Sequence, residues 1–475
     1  MIDSTIVMKF GGTSVGDADA IRRVTSIVRQ ACENPNVRPF VVVSAMAGVT
    51  DRLLGIASTA AGGNRAAAVR DLHDVHQRHI DAVGELIGAD HQPSLVSELA
   101  RVVDDLQAIL TSLAVLREAS PRSLDAVSAA GELLSSHIVA GALREAGLDV
   151  TWVDARRVLV TDDGYPAAPI LHQARAALAH NVVPQMAAGR VPVVGGFVGA
   201  TTAGVTTTLG RGGSDYSAAV FGAALAGQPL VDGTRRLECR EIQIWTDVDG
   251  MLTADPRVVK NPIVVPRLSF AEASELAYFG AKVLHPSTIL PAVAADIPVR
   301  ILNSRKPDGD GTLITSAAST GDRPIAALAC KRHVTVVEIT STRMLMAHGF
   351  LRRLFQVFES HRTAVDVVTT SEVSVSVTVD DDRNLAAIVR DLEEFAEVAV
   401  EKSMAILCAV GDNLRGDPRL AIRVLAALEG VPLRMVSQAG SRRNLTVVLH
   451  ERDLVTAMSR LHNACFVEAG INTAG

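Results

Sequence analysis

The sequence predicts an α/β protein with a mostly parallel sheet between helices, followed by tandem α+β units of βαββαβ order. Two features lead there. Over roughly the first 300 residues, β-branched runs alternate with helical stretches, the pattern of one parallel-sheet domain. Beyond residue 323 the texture changes to short strands of period two, and the same order of elements occurs twice.

At the N-terminus, Ile6, Val7 and Met8 form a short apolar strand that runs into Lys9-Phe-Gly-Gly-Thr-Ser-Val-Gly16. A helix follows, with Ile21, Val24, Ile27 and Val28 on one face. Strand, glycine-rich turn and helix together present backbone N–H groups to a phosphate, and they also make an ordinary tight βα turn. Phe40–Gly48 is a continuous β-branched run ending in small residues, as expected of a strand buried on both faces. From about Asp51 to Leu116 glycines and prolines are few, so a helical excursion packs beside the sheet. A helix over Val127–Glu145 follows, with Glu132 near its start. Strand-like segments recur at Val150–Val153, Val191–Phe197 and Glu241–Trp245. The polar, turn-rich stretches Ser304–Gly311 and Ser316–Arg323 mark the boundary of a first domain, residues 1–308.

In the second half, Val334–Thr340 alternates, and Phe350, Leu354, Phe355 and Phe358 fall at helical spacing within Gly349–His361. Strands over Val365–Thr370 and Val373–Val379 and a helix over Leu385–Phe395 follow. Then the order returns: strand Met404–Val410, helix Arg419–Leu428, strands Leu433–Ser437 and Leu445–Leu449, helix Arg452–Ala464. Two repeats are therefore expected, 324–403 and 404–470.

Composition excludes several classes. A net charge of -6 leaves no basic footprint for nucleic acid. No apolar run reaches the ~18 residues of a membrane span. The N-terminus enters a strand almost directly, without the charged and apolar regions of a signal peptide. The five cysteines are scattered and never in a C-x-x-C pair, which fits reduced thiols in a cytoplasmic protein.

Four polar clusters fall at the C-terminal ends of the expected parallel strands, where α/β sheets bind ligands. They are Lys9 with Gly11, Gly12, Thr13 and Ser14; Ser44 and Thr50; Thr206–Asp215; and Trp245–Gly250, continued by Thr253–Arg257. In the third, Gly210, Gly212 and Gly213 allow close backbone approach, and Asp215 suits a helix cap, a role compatible with one at the site. Arg211 is then the one guanidinium in a loop of small residues, suited to a carboxylate or phosphate. Trp245 reads as core. No Walker loop, protein-kinase set, dinucleotide fingerprint or zinc-protease motif occurs.

Lys9–Ser14, Gly131-Glu132-Leu133, Thr206–Asp215, Trp245–Gly250 and Phe279–Pro286 stand in this order, and together they resemble the aspartate kinase (aspartokinase) family over almost the whole chain. The resemblance implies an amino-acid-kinase fold followed by two ACT domains. It implies transfer of the γ-phosphoryl of ATP, as its Mg²⁺ complex, to the side-chain carboxylate of L-aspartate, opening lysine, threonine and methionine synthesis. Lys9 would lie against the transferred phosphoryl, with Asp215 as the second catalytic residue. Arg211 would bind the α-carboxylate and Glu132 the ammonium, with Ser44, Thr50 and Ser214 also touching substrate. Gly11, Gly12 and Gly213 would shape the junction with the phosphates. Thr246 and Asp247 would hold the nucleoside, with Arg257 and Lys282 toward the phosphates; the phosphates themselves would hold Mg²⁺. Such a transfer needs no general base, because the attacking carboxylate is already ionised near neutral pH.

Met344–Leu351 and Val365–Glu372 resemble the lysine-sensitive branch, where the effector sits between first ACT domains of two subunits. This implies a homodimer or larger assembly inhibited by L-lysine. Asp366 would meet the effector's side-chain ammonium. Met344, Gly349, Phe350, Leu351 and Val365 would wall the site, with Thr370, Ser371 and Glu372 nearby. Met346 and Ala347 depart from the branch's histidine and serine, and Leu252 from an aromatic near the adenine. Gly227–Arg240 reads as an inserted surface loop at the end of its strand away from the ligands. The chain ends after the second repeat, so a monofunctional enzyme is expected. Two other readings stand beside this one: a kinase of the same fold acting on another acid, such as glutamate or N-acetylglutamate, and a catalytically silent amino-acid sensor.

Overall fold

The computed structural model describes residues 4–170, 172–229, 236–280, 284–317, 324–344, 348–412, 414–416, 418–438 and 441–467. They group into two compact units, Met1–Met251 with Leu284–Ala317, and Leu252–Val283 with Ala318–Gly475. The sequence pattern placed 252–283 in the first domain. Packing groups it with the C-terminal half instead, because Ala254 and Val259 are buried in one core with Ile325, Leu328, Ala405 and Leu407.

The first unit opens with β1 (Ser4–Phe10), α1 (Ala18–Ala31) and β2 (Val37–Val43). Asp17 caps α1 by accepting from the Ala20 N–H, and α1 buries Ile21, Val24, Ile27 and Val28, as their spacing requires. The helical excursion resolves into α2 (Val49–Ala61), α3 (Arg65–Leu86) and α4 (Gln92–Leu116), and α5 (Pro121–Glu145) comes next. α5 starts earlier than the apolar periodicity suggests. Ser120 caps it and Pro121 takes the first turn, so Glu132 lies mid-helix rather than near the start. α5 is the one described helix long and apolar enough to cross a membrane, but 83% of that stretch is buried against protein. Its apolarity serves the core.

There follow β3 (Val150–Val153), β4 (Val160–Thr161), α6 (Gln173–Asn181), α7 (Val183–Ala187), β5 (Val191–Gly195), β6 (Val198–Thr201), β7 (Thr206–Thr208), α8 (Gly213–Leu225) and β8 (Glu238–Thr246). After β9 (Arg267–Ser269) and α9 (Phe270–Tyr278) of the second unit, α10 (Leu290–Ala294), β10 (Val299–Asn303) and β11 (Thr312–Thr315) complete the first. Its main sheet runs β3-β5-β2-β1-β8-β10-β11, parallel except for β10 with β11. The register sets Lys9 between Val42 and Ile244, so the carboxyl ends of β1, β2 and β8 open on one edge. Phe10 stacks on Trp245 at 6.0 Å, and Trp245 is buried, as its core reading requires. In the Gly227–Arg240 stretch, residues 230–235 lie outside the described residues. On either side Pro229 and Arg236 form an antiparallel bridge, and β8 already begins at Glu238.

The second unit continues with β12 (Ala327–Thr340), α11 (Phe350–Ser360), β13 (Val368–Thr370), β14 (Ser374–Val379), α12 (Leu385–Glu393), β15 (Glu397–Val410), α13 (Pro418–Ala427), β16 (Leu433–Ser437), β17 (Asn444–His450) and α14 (Leu454–His462). One antiparallel sheet orders them β13-β14-β12-β15-β17-β16. The repeats are nested rather than strictly tandem. Val336–Thr340 pairs with Glu397–Glu401 in the first repeat, whereas Ala327–Lys331 pairs with Ile406–Val410 in the second. The missing last strand of the second repeat is therefore supplied from before the first. Where β12 and β15 pass from one repeat to the other their register slips, and His333 and Ser403 take positive φ of 58° and 59°. Two separate cores accompany this pairing: Val337, Leu354, Phe358, Val377 and Ile388 in one, Leu328, Leu407, Val424, Val447 and Met458 in the other.

Candidate active site

A cavity of about 670 Å³ opens in the first unit, lined by Lys9, Ser44, Thr50, Glu132, Arg211, Gly213, Ser214 and Asp215 among others. These residues come from β1, the turn after β2, α2, α5, and the loop from β7 into α8. Every substrate-binding and catalytic residue expected from the sequence is in this wall.

Lys9 is buried, which rules out the surface lysine of a plain βα turn. Its ammonium lies 2.7 Å from Asp215 Oδ1, both side chains being about nine-tenths enclosed. Gly11 donates its N–H to the Trp245 carbonyl at 2.9 Å, and a Cβ on Gly11 would stand 3.6 Å from Lys9 Nζ. At Gly12 a Cβ would come within 3.0 Å of the Ala45 carbonyl. The tight approach in this turn is therefore at Gly12, while Gly11 would have room for a Cβ in ordinary contact. Ser14 ties the turn down, its hydroxyl 2.8 Å from that of Ser304.

The two helices that begin at the cavity share a feature. α2 starts at Gly48 (φ 77°) and α8 at Gly212 (φ 72°), and neither start has a side-chain cap. Asp215 therefore does not cap α8: it sits in the first turn and turns to Lys9 instead. Helix N–H groups without a side-chain acceptor, at two helix starts, make the wall receptive to anions. Gly213 is packed so closely that a Cβ would lie 2.6 Å from the Phe197 ring. Phe197 itself has a φ of 65°, held by bonds from its N–H to Ser217 and to its carbonyl from Leu209.

Glu132 is 4% exposed, and its Oε2 has no hydrogen-bond partner. Burial pushes its carboxyl up to about 8, despite backbone donors at Ala45 and Glu132 and the nearby charge of Lys9. A buried carboxylate oxygen without a donor, facing a cavity, suits an incoming cation. Arg211, between Gly210 (φ 73°) and Gly212, makes no ion pair or hydrogen bond with any described residue and is free to meet an anion. Asp125 and Ser128 also line the cavity. The sequence reading passed over them, although both lie on the Glu132 face of α5, at seven and four residues' distance. Asp125 Oδ2 accepts the Thr208 N–H at 2.8 Å.

Thr246 and Asp247 stand beyond the cavity at the end of β8, with the Thr246 hydroxyl 3.3 Å from Asp247 Oδ1. Beside them Asp249 is held by Lys306 at 2.7 Å and by Asn303, contacts that keep its carboxyl below the usual range. Arg257 belongs to the second unit and is engaged by Asp255 through Nε and Nη2. Lys282 lies outside the described residues, as do Met346 and Ala347. Among the described residues no cluster of three or more His, Cys, Asp or Glu could hold a metal.

The expected effector residues lie in the second unit. Gly349 (φ 86°) begins α11, Phe350 packs edge-on against Phe395, and Leu351 is 40% exposed. Met344 and Val365 pack against the same core as Phe350. Thr370 ends β13, and Ser371 turns the chain by bonding Ser374; Glu372 is exposed. Asp366 already has a cation: Lys331 Nζ lies 2.9 Å from its Oδ1 and 3.0 Å from Asp380, and Tyr278 donates to the same Oδ1 at 3.1 Å. Its Oδ2 is buried and unpartnered. Burial alone would lower the lysine's pKa, but the two carboxylates raise it.

Comparison with known proteins gives a consistent result. The model of the amino acid kinase family matches residues 4–303, and an ACT-domain model matches residues 407–465. The chain is 36% identical to aspartokinase 1, chloroplastic, of Arabidopsis thaliana, over 98% of this chain and 81% of that protein. It is 34% identical to lysine-sensitive aspartokinase 3 of Escherichia coli, over 97% and 99% of the two chains. Among solved structures, E. coli aspartokinase III in complex with lysine and aspartate superposes with a TM-score of 0.79 at 33% identity, covering 97% of this chain and 99% of that one. The same enzyme with aspartate and ADP gives 0.77 at 33% identity, covering 97% and 100%.

Proposed function

This chain belongs to the aspartokinase family, and we propose that its cavity aligns the β-carboxylate of L-aspartate with the γ-phosphoryl of ATP for direct transfer. It is an ATP-dependent phosphotransferase, and the product is 4-phospho-L-aspartate. The observation that carries the alignment is the set of polar groups lining one cavity: Arg211 without a partner among the described residues, an unpartnered carboxyl oxygen on Glu132, and the Lys9–Asp215 pair.

Arg211 receives the α-carboxylate, and Glu132 Oε2 receives the ammonium, so the amino acid is held by its backbone with its side chain toward Lys9. Ser44, Thr50 and Ser214 complete the contact. No proton has to leave the attacking oxygen, which is ionised near neutral pH. Lys9 neutralises charge on the transferring phosphoryl, and Asp215 keeps the lysine aimed there. Gly11, Gly12 and Gly213 let phosphate oxygens approach the backbone. Thr246 and Asp247, at the end of β8, take the nucleoside. Mg²⁺ bound with the nucleotide would supply further charge neutralisation, and no protein ligand is assigned to it.

Regulation follows the same reading. The C-terminal repeats, expected from the sequence at 324–403 and 404–470 after a kinase domain of 1–308 and interleaved through Ala327–Lys331, act as ACT domains that pair two subunits. L-Lysine inhibits from a site walled by Met344, Gly349, Phe350, Leu351 and Val365, near Thr370–Glu372, with its ammonium at Asp366. All five cysteines are free, which supports a reducing, cytoplasmic setting.

The test is an initial-rate assay with aspartate and ATP, trapping the acyl phosphate with hydroxylamine. Arg211→Ala is expected to raise KM for aspartate far more than KM for ATP. Equal changes in both would remove Arg211 from the α-carboxylate, and turnover only with glutamate or N-acetylglutamate would replace the substrate.

A further inference from the structure

α5 carries two carboxylates into the cavity wall, and only Glu132 has a role in the chemistry above. The other, Asp125, is 2% exposed and stands seven residues earlier, about two turns or 10 Å along the helix. It faces the last residue of β7: the Thr208 N–H donates to Asp125 Oδ2 at 2.8 Å. The rest of Thr208 is also tied. Its hydroxyl donates to the Pro166 carbonyl at 3.0 Å, and its own carbonyl accepts from Ala168 at 3.0 Å. Three residues on, between two glycines of positive φ, is Arg211.

Glycine on both sides gives this loop little stiffness of its own. Its aim therefore depends on where its root is fixed, and the root is fixed to α5. Burial raises the Asp125 carboxyl, and the bond from Thr208 draws it back. A buried carboxylate is costly without such donors, so the amide of Thr208 is a strongly preferred partner.

We propose that Asp125 is the positioning residue for Arg211. One rigid helix then sets the distance between the acceptor for the substrate's ammonium and the donor for its α-carboxylate, and so the fit to an α-amino acid. This rests on the reading of Arg211 and Glu132 above.

The test uses the full-length enzyme and steady-state kinetics for both substrates. Asp125→Ala removes the acceptor and is expected to raise KM for aspartate about ten- to a hundredfold, with KM for ATP unchanged, in the range that misplacing a binding group costs. Asp125→Asn keeps an oxygen acceptor in the same place and is expected to restore KM for aspartate close to wild type. Thr208→Val cuts the hydroxyl tie of the same root with little change of shape. It should move KM for aspartate in the same direction, and it serves if Asp125→Ala does not fold. The proposal is overturned if Asp125→Ala shifts both KM values alike, if Asn is as damaging as Ala, or if aspartate binding is indifferent to both Asp125→Ala and Thr208→Val while Arg211→Ala abolishes it. If Arg211→Ala itself leaves KM for aspartate unchanged, the reading of the carboxylate site fails first.

Discussion

Replacing Glu132 with glutamine should make the protein more stable and a poorer binder of its substrate. The Glu132 carboxyl is raised from 4.5 to about 8 by burial, so the folded chain prefers it protonated. Between those values the native state holds a proton that the unfolded chain has released, and stability falls as pH rises. Stability is thus fully present below 4.5 and is lost progressively up to 8. At about 1.4 kcal/mol for each pH unit, the full span costs no more than ~5 kcal/mol, and at pH 7 about 3 kcal/mol. Glutamine occupies the same volume and carries no charge to bury. Its melting temperature should match wild type near pH 5 and exceed it by several degrees at pH 8, given ~2 °C or more for each kcal/mol. The assay is thermal melting against pH, with and without aspartate. Wild type should recover the deficit when aspartate is added, because an ammonium at Oε2 offsets the buried charge, and Glu132→Gln should not. Parallel pH profiles for the two proteins would refute the buried-charge account. An unchanged KM for aspartate in Glu132→Gln would refute its role as ammonium acceptor.

Other outcomes follow from the same geometry. Lys9→Ala should lower kcat by about a hundredfold or more while substrates still bind, since its charge acts mainly on the transition state; calorimetric titration with ATP separates the two. Gly213→Ala places a Cβ 2.6 Å from Phe197 and 3.1 Å from Leu209 Cβ, so it should cost ~1–3 kcal/mol, read as a lower melting temperature. Lys331→Met removes the resident cation from Asp366 and should lower the concentration of L-lysine needed for half-inhibition; an unchanged value would show that the two ammonium groups do not compete. Asp366→Ala should relieve lysine inhibition with little effect on the uninhibited rate, and full retention would take Asp366 out of the effector site.

Much of the site was legible because its chemistry is local. Glycines beside Lys9 and around Arg211 announce close backbone approach in any context, and their place after β-branched runs puts them at strand ends. The role of Glu132 came only through the resemblance, and the helix holding it begins earlier than its apolar spacing suggests, at a Ser-Pro start that is itself a cap signal. What stayed hidden depends on partners far along the chain. Asp125 carries no mark of function until Thr208 is seen to lean on it. The Lys331–Asp366 pair joins residues 35 apart on different elements. Asp215 suits a cap by residue type and a catalytic role by resemblance, and its ion pair with Lys9, which arrives on β1, is what the spacing does not show. The outer strand of the second repeat was missed for a simpler reason: Ala327–Lys331 is continuous with the strand that follows, and pattern alone cannot divide one strand between two cores.

That division has a consequence in time. A chain emerging from the ribosome at ~5–20 residues per second presents Ala327–Lys331 several seconds before its partner Ile406–Val410 exists. Meanwhile Thr335–Thr340 can pair with Ser374–Val379 soon after both are made. The first repeat therefore closes around its own core while a bare strand hangs from its edge, and the second can form only by growing onto that edge. The threading allows the interrupting repeat to close before the interrupted one has its last strand.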